Sequence, residues 1–332
     1  MATYPKVDER MFVSAKCITR HPEIILSYKD CPYRSALTFN AAAVKKDGQY
    51  IMVFRNDVGD HDAQKLDPRT NLGLALSKDG LKWKVTEEPI WEVHTDEINR
   101  VYDPRLTVID GRYYLCFAMD TKHGIRGGIA VSDDLKTFEI LSLSTPDNRN
   151  MVLFPEKIHG KYMRLERPMP MYGHNRFDIW LSESPDLVYW GNSRLVLGAE
   201  DVPYCNDKIG PAAPPIKTEK GWLTLFHSVD IDDARGKNGW EPTWKKRYVI
   251  GIMLLDLDDP SRIVGMSKLP LMVPETEIER KGGFRDNVLF PCALIPEDDG
   301  TVKIYYGVGD AIVCLATAKL TDLLALCSSP RK

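Results

Sequence analysis

The chain has 332 residues, of which 43% are hydrophobic and 27% charged, a composition typical of a folded globular protein and too rich in core-forming residues for disorder. Lysine and arginine total 44 against 47 aspartate and glutamate, so the net charge of -3 supplies no basic field for nucleic acid or for an anionic membrane surface. Any bound anion must therefore be held locally. No apolar run approaches the roughly 20 residues that span a bilayer, and MATYPKVDER is too charged for a secretory leader, so we expect a cytoplasmic protein.

Neither the cysteines nor the histidines form a metal-binding pattern. The seven cysteines are scattered, odd in number and without a C-x-x-C pair, which argues against both a disulfide framework and a structural zinc. The run Asp60-His61-Asp62 could ligate a metal, but adjacent residues of an extended chain point to opposite faces, which favours a solvated loop. We predict no metal site.

Two motifs recur along the chain. The first, Ser-x-Asp-x-x-x-aromatic, occurs in SKDGLKW (77–83), SDDLKTF (132–138) and SPDLVYW (184–190). The second is a turn glycine followed by alternating apolar and aromatic residues, and its copies begin at Gly48, Gly111, Gly160, Gly221 and Gly300. Such alternation after a glycine is typical of a half-buried strand that follows a hairpin, so each copy predicts a small antiparallel sheet.

Five sheet units in one chain predict an all-β fold, a five-bladed β-propeller whose blades surround a central channel. A β-sandwich in which the hairpins resemble one another by accident is the alternative. Helical periodicity is confined to short stretches such as AKLTDLLALC (318–327), and the absence of a linker predicts a single domain over residues 1–332. The charged and aromatic segment 229–248 is the most loop-like insertion, placed to overhang a site or to contact another subunit.

Polar residues interrupt the repeat at matching positions. Asn40 and Asp103 each lie eight residues before their turn glycine, Arg55 and Arg167 lie seven after theirs, and His227 lies six after its own. Equivalent strand ends of a propeller converge on one end of the channel, so these five side chains should share a cavity. Taken singly, each has a structural explanation as a turn, solvated or packing residue. Their matching offsets favour a functional site.

Two further basic residues precede strand-like runs, Arg149 in DNRNMVLFPEK and Lys208 in NDKIGPAAPP. Two arginines, a lysine and a histidine around one carboxylic acid suit an oxyanion, because arginine binds phosphate with two parallel hydrogen bonds. There is no P-loop and no G-x-G-x-x-G motif, so a nucleotide is not expected to carry the phosphate. The sequence has no H-E-x-x-H or G-x-S-x-G motif either, and no spacing that indicates a nucleophilic triad.

Long stretches of the chain resemble the β-mannoside phosphorylases of glycoside hydrolase family 130. They include FNAAAV (39–44), YDPRLTVIDGRYY (102–114), RNMVLFPEKIHGKY (149–162), KIGPAAPPIKTEKGWLTLFH (208–227) and IYYGVGD (304–310). The resemblance runs in order from about residue 21 to about residue 320. It implies a five-bladed β-propeller, in agreement with the five glycine repeats.

The resemblance also implies roles for individual residues. The general acid would be Asp103. The phosphate ligands would be Arg149, Arg167, Lys208 and His227. The donor-sugar ligands would be Asn40, Arg55 and Asp310. The implied reaction is inverting phosphorolysis of a β-1,4- or β-1,2-linked manno-disaccharide or oligosaccharide, which releases α-D-mannose 1-phosphate. In this family the acid is thought to act through the 3-hydroxyl of the sugar. Inorganic phosphate is then a co-substrate, and no cofactor and no metal are expected.

Two other functions use the same fold. The first is a β-mannosidase, which would need a second carboxylate to activate water. Hydrolytic relatives lack the four basic residues that are present here, which favours the phosphorylase over the hydrolase. A carbohydrate-binding propeller without catalysis is the third hypothesis. We read 57–71 as a loop, and this loop, the segment 229–248 and Gly309-Asp310-Ala311 depart from the family pattern, so the linkage and the acceptor sugar stay open. A homo-oligomer is also left open.

Overall fold

The computed structural model describes residues 5–171, 177–235, 239–241 and 243–328, and strands dominate that part of the chain. In chain order the strands are β1 (Thr19–Arg20), β2 (Leu37–Lys46), β3 (Gln49–Asp60), β4 (Lys65–Ser77), β5 (Lys84–Val85), β6 (Ile98–Ile109), β7 (Arg112–Thr121), β8 (Gly124–Ser132), β9 (Glu139–Leu143), β10 (Asn148–Leu153), β11 (Tyr162–Pro168), β12 (Ile179–Ser184), β13 (Gly191–Leu197), β14 (Lys208–Pro211), β15 (Ile216–Thr218), β16 (Gly221–Ile231), β17 (Lys246–Leu255), β18 (Ile263–Met266), β19 (Leu289–Pro296), β20 (Thr301–Val308) and β21 (Ile312–Lys319).

Helices are short and peripheral. The α-helices are α1 (Glu277–Arg280) and α2 (Leu320–Leu326), and the second confirms the helix predicted from AKLTDLLALC. The 3-10 helices span Glu9–Met11, Tyr28–Asp30, Ala199–Asp201 and Asp233–Arg235.

The strands form five antiparallel sheets that follow one another along the chain. Blade 1 has the strand order β2-β3-β4-β5, blade 2 has β6-β7-β8-β9 and blade 3 has β10-β11-β12-β13. Blade 4 has β14-β16-β17-β18 with β15 beside β16, and blade 5 has β19-β20-β21-β1. First strands of successive blades contact one another, β19 with β2, β2 with β6, β6 with β10 and β10 with β14. This confirms the five-bladed β-propeller, and the β-sandwich alternative is wrong.

The last blade is completed by the start of the chain. Thr19 and Arg20 of β1 pair with Thr317 and Ala316 of β21, so the outermost strand of blade 5 comes from the N-terminal segment. The Arg20 side chain then reaches Glu279 of α1, with Nε 2.8 Å from Oε1. Glu279 is 1% exposed and also accepts a hydrogen bond from the Tyr306 hydroxyl at 3.0 Å. The N-terminal segment is therefore joined to blade 5 by strand pairing and to α1 by a buried ion pair.

The repeated glycines lie between the first and second strands of each blade, as the alternating pattern predicts. All five have positive φ, between 75° and 146°. In blades 1 to 3 the preceding residue also has positive φ, 51° at Asp47, 50° at Asp110 and 49° at His159. Two successive residues with positive φ form the tight hairpin turn that matches strand twist, and glycine adopts the second position without steric cost.

The Ser-x-Asp motif is structural. In blade 1 the Ser77 hydroxyl oxygen accepts the Gly80 N–H at 2.9 Å, and Asp79 Oδ1 accepts the N–H groups of Leu81 and Lys82 at 2.8 and 2.9 Å. The same bonds recur around Ser132 and Ser184. Hydrogen bonds from the Lys82 and Leu81 N–H groups lower the pKa of Asp79 to about 2. The motif thus fixes the turn between the third and fourth strands of three blades.

One segment predicted as a loop, 57–71, is strand for most of its length, and a second, 229–248, is strand at its two ends. The prediction of a loop at 57–71 is wrong, because β3 and β4 continue to Asp60 and Lys65 and form a long hairpin. Its buried pairs are polar: the Thr70 hydroxyl donates to Asp57 at 2.8 Å, and the Asn56 amide donates to Asn71 at 2.9 Å. Because these paired residues are polar, the sequence of the hairpin lacks the apolar alternation that predicts strands. In the 229–248 segment, β16 extends to 231 and β17 begins at 246, and residues 236–238 and 242 lie outside the described residues.

Candidate active site

A cavity of about 290 Å³ opens where the first strands of the blades begin. Five arginines, three aspartates, two asparagines and one histidine line it together with aromatic and aliphatic side chains. These are Arg55, Arg100, Arg149, Arg167, Arg285, Asp57, Asp103, Asp310, Asn40, Asn150, His227, Phe39, Tyr102, Tyr248, Phe284, Phe290, Leu66 and Val288. Of the eight predicted site residues, only Lys208 is absent from this lining. Closure of the propeller brings the other seven together.

Three of the cavity residues occupy the same irregularity in successive blades. Asn40, Asp103 and Asn150 have φ of 47°, 53° and 59°. Each sits where the register between first and second strands shifts by a bulge. A bulge turns a side chain out of the sheet, and Asn and Asp tolerate positive φ better than other residues with a side chain. The backbone and the site therefore select the same residue types, which is why a turn-like Asp-Pro sequence carries a cavity carboxylate.

Asp103 lies at the meeting point of blades 1 and 2. Its Oδ1 accepts a hydrogen bond from the Asn40 amide at 2.9 Å and one from Arg55 Nη1 at 3.2 Å. Burial alone would raise the pKa of the Asp103 carboxyl, but the charges of Arg55 and Arg105 and the Asn40 hydrogen bond lower it below its usual value. Among the protein's own groups, Asp103 is therefore a carboxylate at neutral pH.

Arg55 is fixed on all sides. Its Nε and Nη2 each donate to Asp57 at 2.8 Å, which makes a bidentate pair. The guanidinium carbon lies 4.6 Å from the centre of the Phe39 ring and 4.9 Å from that of Tyr102. Burial would lower the Arg55 pKa, and the charges of Asp57 and Asp103 raise it. Because these contacts hold the Arg55 guanidinium in one orientation, a ligand can approach it from one side only. The same guanidinium also positions Asp103.

Arg149 and Arg167 differ from Arg55 because they have no carboxylate partner among the residues that the structure describes. They face each other across the first two strands of blade 3. Arg149 Nη1 donates to the Tyr102 hydroxyl at 3.3 Å, and the Nε atoms of both arginines are buried without a hydrogen-bond partner in the described chain. Burial and the charge of Arg149 lower the pKa of Arg167 to about 9. Two adjacent cations, Arg167 buried and Arg149 partly buried, create a strong attraction for an anion when no counter-charge balances them.

His227 contacts Arg167 directly. Arg167 Nη1 lies 2.9 Å from His227 Nε2, and because a guanidinium only donates, Nε2 is the acceptor and the proton sits on Nδ1. The ring is fully buried and is stacked near Tyr248 and Phe290. Burial, followed by the charge of Arg167, lowers its pKa well below the usual value. His227 is therefore a neutral residue that orients Arg167, rather than a cation.

Lys208 lies behind the cavity wall. Its ammonium nitrogen is 5.7 Å from the centre of the Tyr248 ring, and Tyr248 itself lines the cavity. Burial, followed by the charges of Arg167 and Lys246, lowers its pKa well below the usual value. Its charge therefore belongs to the same electrostatic cluster as Arg167, although its side chain does not line the space.

Asp310 supplies the carboxylate of the other wall. Its Oδ2 accepts a hydrogen bond from Arg285 Nη1 at 2.9 Å, and Arg285 Nε donates to Glu241 at 2.6 Å. Burial raises the Asp310 pKa, against the opposing effects of Arg285 and Arg55, and the charge of Asp103 adds to the increase. The cavity thus holds two carboxylates whose pKa values are displaced in opposite directions.

Sequence reasoning missed several lining residues. Asn150 carries the same bulge as Asn40 and Asp103, but it lies ten residues before its turn glycine instead of eight, so the offset did not reveal it. Tyr248 is in β17 beside His227, and Arg285 is in the segment between α1 and β19, which belongs to no repeat. Only the Asn150 position left a signal in the sequence, namely its place directly after Arg149.

The described residues were also compared with the requirements of a metal site and of a membrane-spanning helix. They contain no group of three or more histidine, cysteine, aspartate or glutamate side chains arranged to hold a metal ion. None of their helices has the length and apolarity that crossing a membrane requires.

Comparison with known proteins places the chain among carbohydrate-active enzymes. Residues 14–329 match the model of glycoside hydrolase family 130, described as beta-1,4-mannooligosaccharide phosphorylase. A beta-1,4-mannooligosaccharide phosphorylase of Ruminococcus albus is 35% identical over 303 residues, covering 86% of this chain and 83% of the relative. A 1,2-beta-oligomannan phosphorylase of a Thermoanaerobacter species is 31% identical over 306 residues, covering 90% and 96% respectively.

The solved structures show the same fold. Beta-1,2-mannobiose phosphorylase from Listeria innocua, in complex with beta-1,2-mannobiose, superposes with a TM-score of 0.80 at 25% identity and covers 93% of this chain and 99% of that structure. The family model spans nearly the whole described propeller and all the cavity residues. The chain is therefore a member of glycoside hydrolase family 130.

Proposed function

We propose that this protein is an inverting phosphorylase that cleaves a β-1,2- or β-1,4-linked mannoside with inorganic phosphate and releases α-D-mannose 1-phosphate. The observation that carries the proposal is the pair Arg149 and Arg167, two cations in one cavity with no carboxylate partner in the described chain. Named phosphorylases among the relatives support the reaction class, and they include both linkages at similar identity. The proposal therefore covers both.

The arginine pair suits the nucleophile of a phosphorolysis. A hydrolase must create its nucleophile by removing a proton from water, whereas phosphate arrives already ionised and needs cations to hold it. Arg149 and Arg167 would bind its oxygens, with His227 holding Arg167 in place and Lys208 adding charge from behind Tyr248. Holding both substrates in one cavity also removes much of the entropic cost of a two-substrate reaction.

Asp103 would supply the proton. As a phosphate oxygen bonds to the anomeric carbon, the bond from that carbon to the leaving oxygen breaks, and the leaving oxygen takes a proton that originates from Asp103. The proton carried by hydrogen phosphate then restores the acid. The Asp103 carboxyl is ionised in the empty cavity, so binding of a phosphate dianion next to Arg149 must raise its pKa. Bound phosphate would thus favour the protonated form of Asp103 as well as attack the sugar.

The remaining polar groups would hold the mannosyl unit. Asn40 and Asp310 supply an amide and a carboxylate, and Arg55 supplies a clamped guanidinium. The Asn40 Oδ1 atom is buried without a hydrogen-bond partner in the described chain, so a sugar hydroxyl would satisfy it. Side chains from all five blades or their flanking segments enter one cavity, which supports residues 1–332 acting as a single catalytic domain.

We also propose a cytoplasmic location. All seven cysteines are free thiols and five of them are buried, which suits a reducing compartment. Immunodetection after cell fractionation tests this, and recovery of the protein only outside the cytoplasm would contradict it.

The reaction is tested by incubating the protein with β-1,2- and β-1,4-mannobiose, each with and without inorganic phosphate. Phosphorus NMR should show α-mannose 1-phosphate only when phosphate is present, and disaccharide should persist in its absence. Release of free mannose without phosphate would show a hydrolase. Failure to consume any β-mannoside with phosphate present would overturn the proposal.

A further inference from the structure

The Tyr102 hydroxyl forms hydrogen bonds with two charged side chains from different blades. It lies 2.6 Å from Oδ1 of Asp120 and 3.3 Å from Nη1 of Arg149. Tyr102 and Asp120 belong to β6 and β7 of blade 2, whereas Arg149 belongs to β10 of blade 3. The tyrosine is 2% exposed, so this link between the blades is buried at its centre.

The chemistry of the two partners fixes the direction of both hydrogen bonds. A carboxylate only accepts hydrogen bonds, and a guanidinium only donates them. The Tyr102 hydroxyl therefore donates its proton to Asp120 and accepts from Arg149. Burial, with the charge of Asp120 and against that of Arg149, raises the pKa of the Tyr102 phenol to about 12, so the hydroxyl keeps its proton at neutral pH.

Asp120 is itself held in one orientation. Its second oxygen, Oδ2, accepts a hydrogen bond from Arg100 Nε at 2.7 Å, and the two residues lie opposite each other in the pairing of β6 with β7. The Arg100 guanidinium carbon also lies 4.9 Å from the centre of the Tyr102 ring. Each carboxylate oxygen thus has its own partner. Asp120 is not among the residues that line the catalytic cavity, so it would act on a ligand through Tyr102.

Arg149 depends on this arrangement for its orientation. Among the described residues, the Tyr102 hydroxyl is the acceptor that its guanidinium contacts, and its Nε is buried without a partner there. An arginine side chain that lacks this contact must lose more rotamer freedom when an anion binds, and that loss weakens the binding. Without a carboxylate to accept its proton, the Tyr102 hydroxyl could also turn that proton towards Arg149, where a donor would face a donor.

We propose that Asp120 is a positioning residue for phosphate, which fixes the direction of the Tyr102 hydroxyl and thereby holds Arg149 ready for the anion. This inference rests on the proposed function, in which Arg149 binds phosphate. It deepens that function by naming a residue outside the cavity that sets the affinity for one of the two substrates.

The first experiment measures the Kd for inorganic phosphate alone by calorimetry, together with the KM values for phosphate and for the mannoside. Asp120→Leu removes the acceptor and should raise the Kd and the KM for phosphate about fivefold, which corresponds to the loss of one hydrogen bond. The KM for the mannoside should change little. Asp120→Asn retains an oxygen that can accept from Tyr102, so it should recover most of the lost affinity. If the leucine prevents folding, Asp120→Ala takes its place.

A double-mutant cycle separates positioning from a general structural effect. Tyr102→Phe removes the group through which Asp120 would act, and it should weaken phosphate binding by a similar factor. In the Tyr102→Phe background, Asp120→Leu should then add almost nothing, whereas two independent structural effects would multiply.

Glu92→Leu is the matched control. The Glu92 side chain is 29% exposed, against 24% for Asp120, and it also holds an arginine and a buried polar group, since it accepts from Arg69 at 2.7 Å and from Asn71 at 3.2 Å. It does not line the cavity. This variant should keep the Kd for phosphate of the wild-type protein.

The inference is overturned if Asp120→Leu binds phosphate as tightly as the wild type, if its effect persists in full in the Tyr102→Phe background, or if the wild-type protein binds no phosphate. The proposed function fails differently, through the absence of phosphate-dependent cleavage of any β-mannoside by the wild-type protein. Because the Kd is measured without a mannoside, it tests the role of Asp120 even in that case.

Discussion

Arg167 is the residue on which the proposed binding of phosphate depends most directly. It is 2% exposed, it has a pKa lowered to about 9 by burial and by Arg149, and no described carboxylate balances its charge. An unbalanced buried cation destabilises the folded protein until a ligand compensates it. Under the proposed role of Arg167 in phosphate binding, stability and ligand binding are therefore opposed at this one position.

Replacement of this arginine by lysine tests that role. Arg167→Lys should raise the KM for phosphate about tenfold or more, because an ammonium cannot bind two phosphate oxygens in parallel. The KM for the mannoside should change less. Arg112→Lys, on a half-exposed surface arginine paired with Asp133, is the control and should leave both values as in wild type. Equal effects of the two variants on phosphate would contradict the assignment.

His227 can be tested as an acceptor rather than as a cation. In His227→Gln the amide oxygen can still accept from Arg167, whereas His227→Leu leaves that N–H unpartnered in a buried site. We expect the KM for phosphate to rise several-fold more in the leucine variant. Nitrogen NMR of the wild-type ring should show the neutral, Nδ1-protonated form at pH 7. A doubly protonated ring in the absence of phosphate would contradict this assignment.

Asp103→Asn tests the proton donor. An asparagine can still accept from Asn40 and Arg55 but carries no acidic proton, so kcat should fall at least about a hundredfold, the usual loss when a general acid is removed. The thermal midpoint should stay within a few degrees. Asp133→Asn, at an exposed surface carboxylate, is the control. Near-normal turnover in Asp103→Asn would show that another group donates the proton.

At the scale of the element, blades 1, 2 and 4 share one packing pair between their second and third strands. Phe54, Phe117 and Phe226 on second strands lie opposite Gly73, Gly128 and Gly251 on third strands. A Cβ at any of these glycines would come within 2.2 Å of the ring. The glycine thus makes room for the ring, and the same pair recurs because the blades are copies of one design.

This rule predicts the effect of a single methyl group. Gly128→Ala should destabilise the protein by about 2 kcal/mol, because the added methyl group overpacks against Phe117. The double variant with Phe117→Leu has a smaller side chain opposite the alanine and should recover part of the lost stability. Gly191→Ala is the control, since a Cβ there meets nothing within 4 Å. Chemical denaturation measures all three, and an unaffected Gly128→Ala would refute the rule.

The sequence predicted the elements wherever the repeat was regular. The turn glycines and the apolar alternation located the five hairpins, and the equal offsets of Asn40 and Asp103 revealed that their side chains meet. The signal failed where local chemistry replaced the pattern. Two extra residues in blade 3 hid Asn150, and buried polar pairs made the β3-β4 hairpin look like a loop. Arg285 could not be predicted, because only tertiary closure brings it to Asp310.

At the scale of the whole molecule, closure of the ring depends on Arg20. Arg20→Ala would remove the partner of Glu279, which is buried beside Tyr306, and leave a buried carboxylate without a counter-charge. We expect a loss of about 3 kcal/mol in the free energy of unfolding. Arg10→Ala, which affects an exposed pair with Asp8, is the control and should have almost no effect.

The effect of Arg20→Ala should depend on pH in a definite direction. Burial raises the pKa of Glu279, but Arg20 and the backbone N–H groups of Glu275 and Thr276 lower it overall. A lowered pKa stabilises the folded state above the unfolded value of about 4.5 and loses that contribution as the pH falls through the folded value. The difference between variant and wild type should therefore be largest near neutral pH and shrink in acid. A pH-independent difference would contradict the ion pair as its cause.

The pairing of β1 with β21 also has a consequence for biosynthesis. A ribosome releases residues 19 and 20 before the first blade, but their strand partners at 316 and 317 belong to the fifth blade and emerge after the other four. Strand β1 therefore has no pairing partner while the first four blades are translated. Catalytic competence cannot accumulate gradually on the nascent chain, because the cavity is enclosed only when the final blade meets the first. Activity therefore requires that all five blades have been translated.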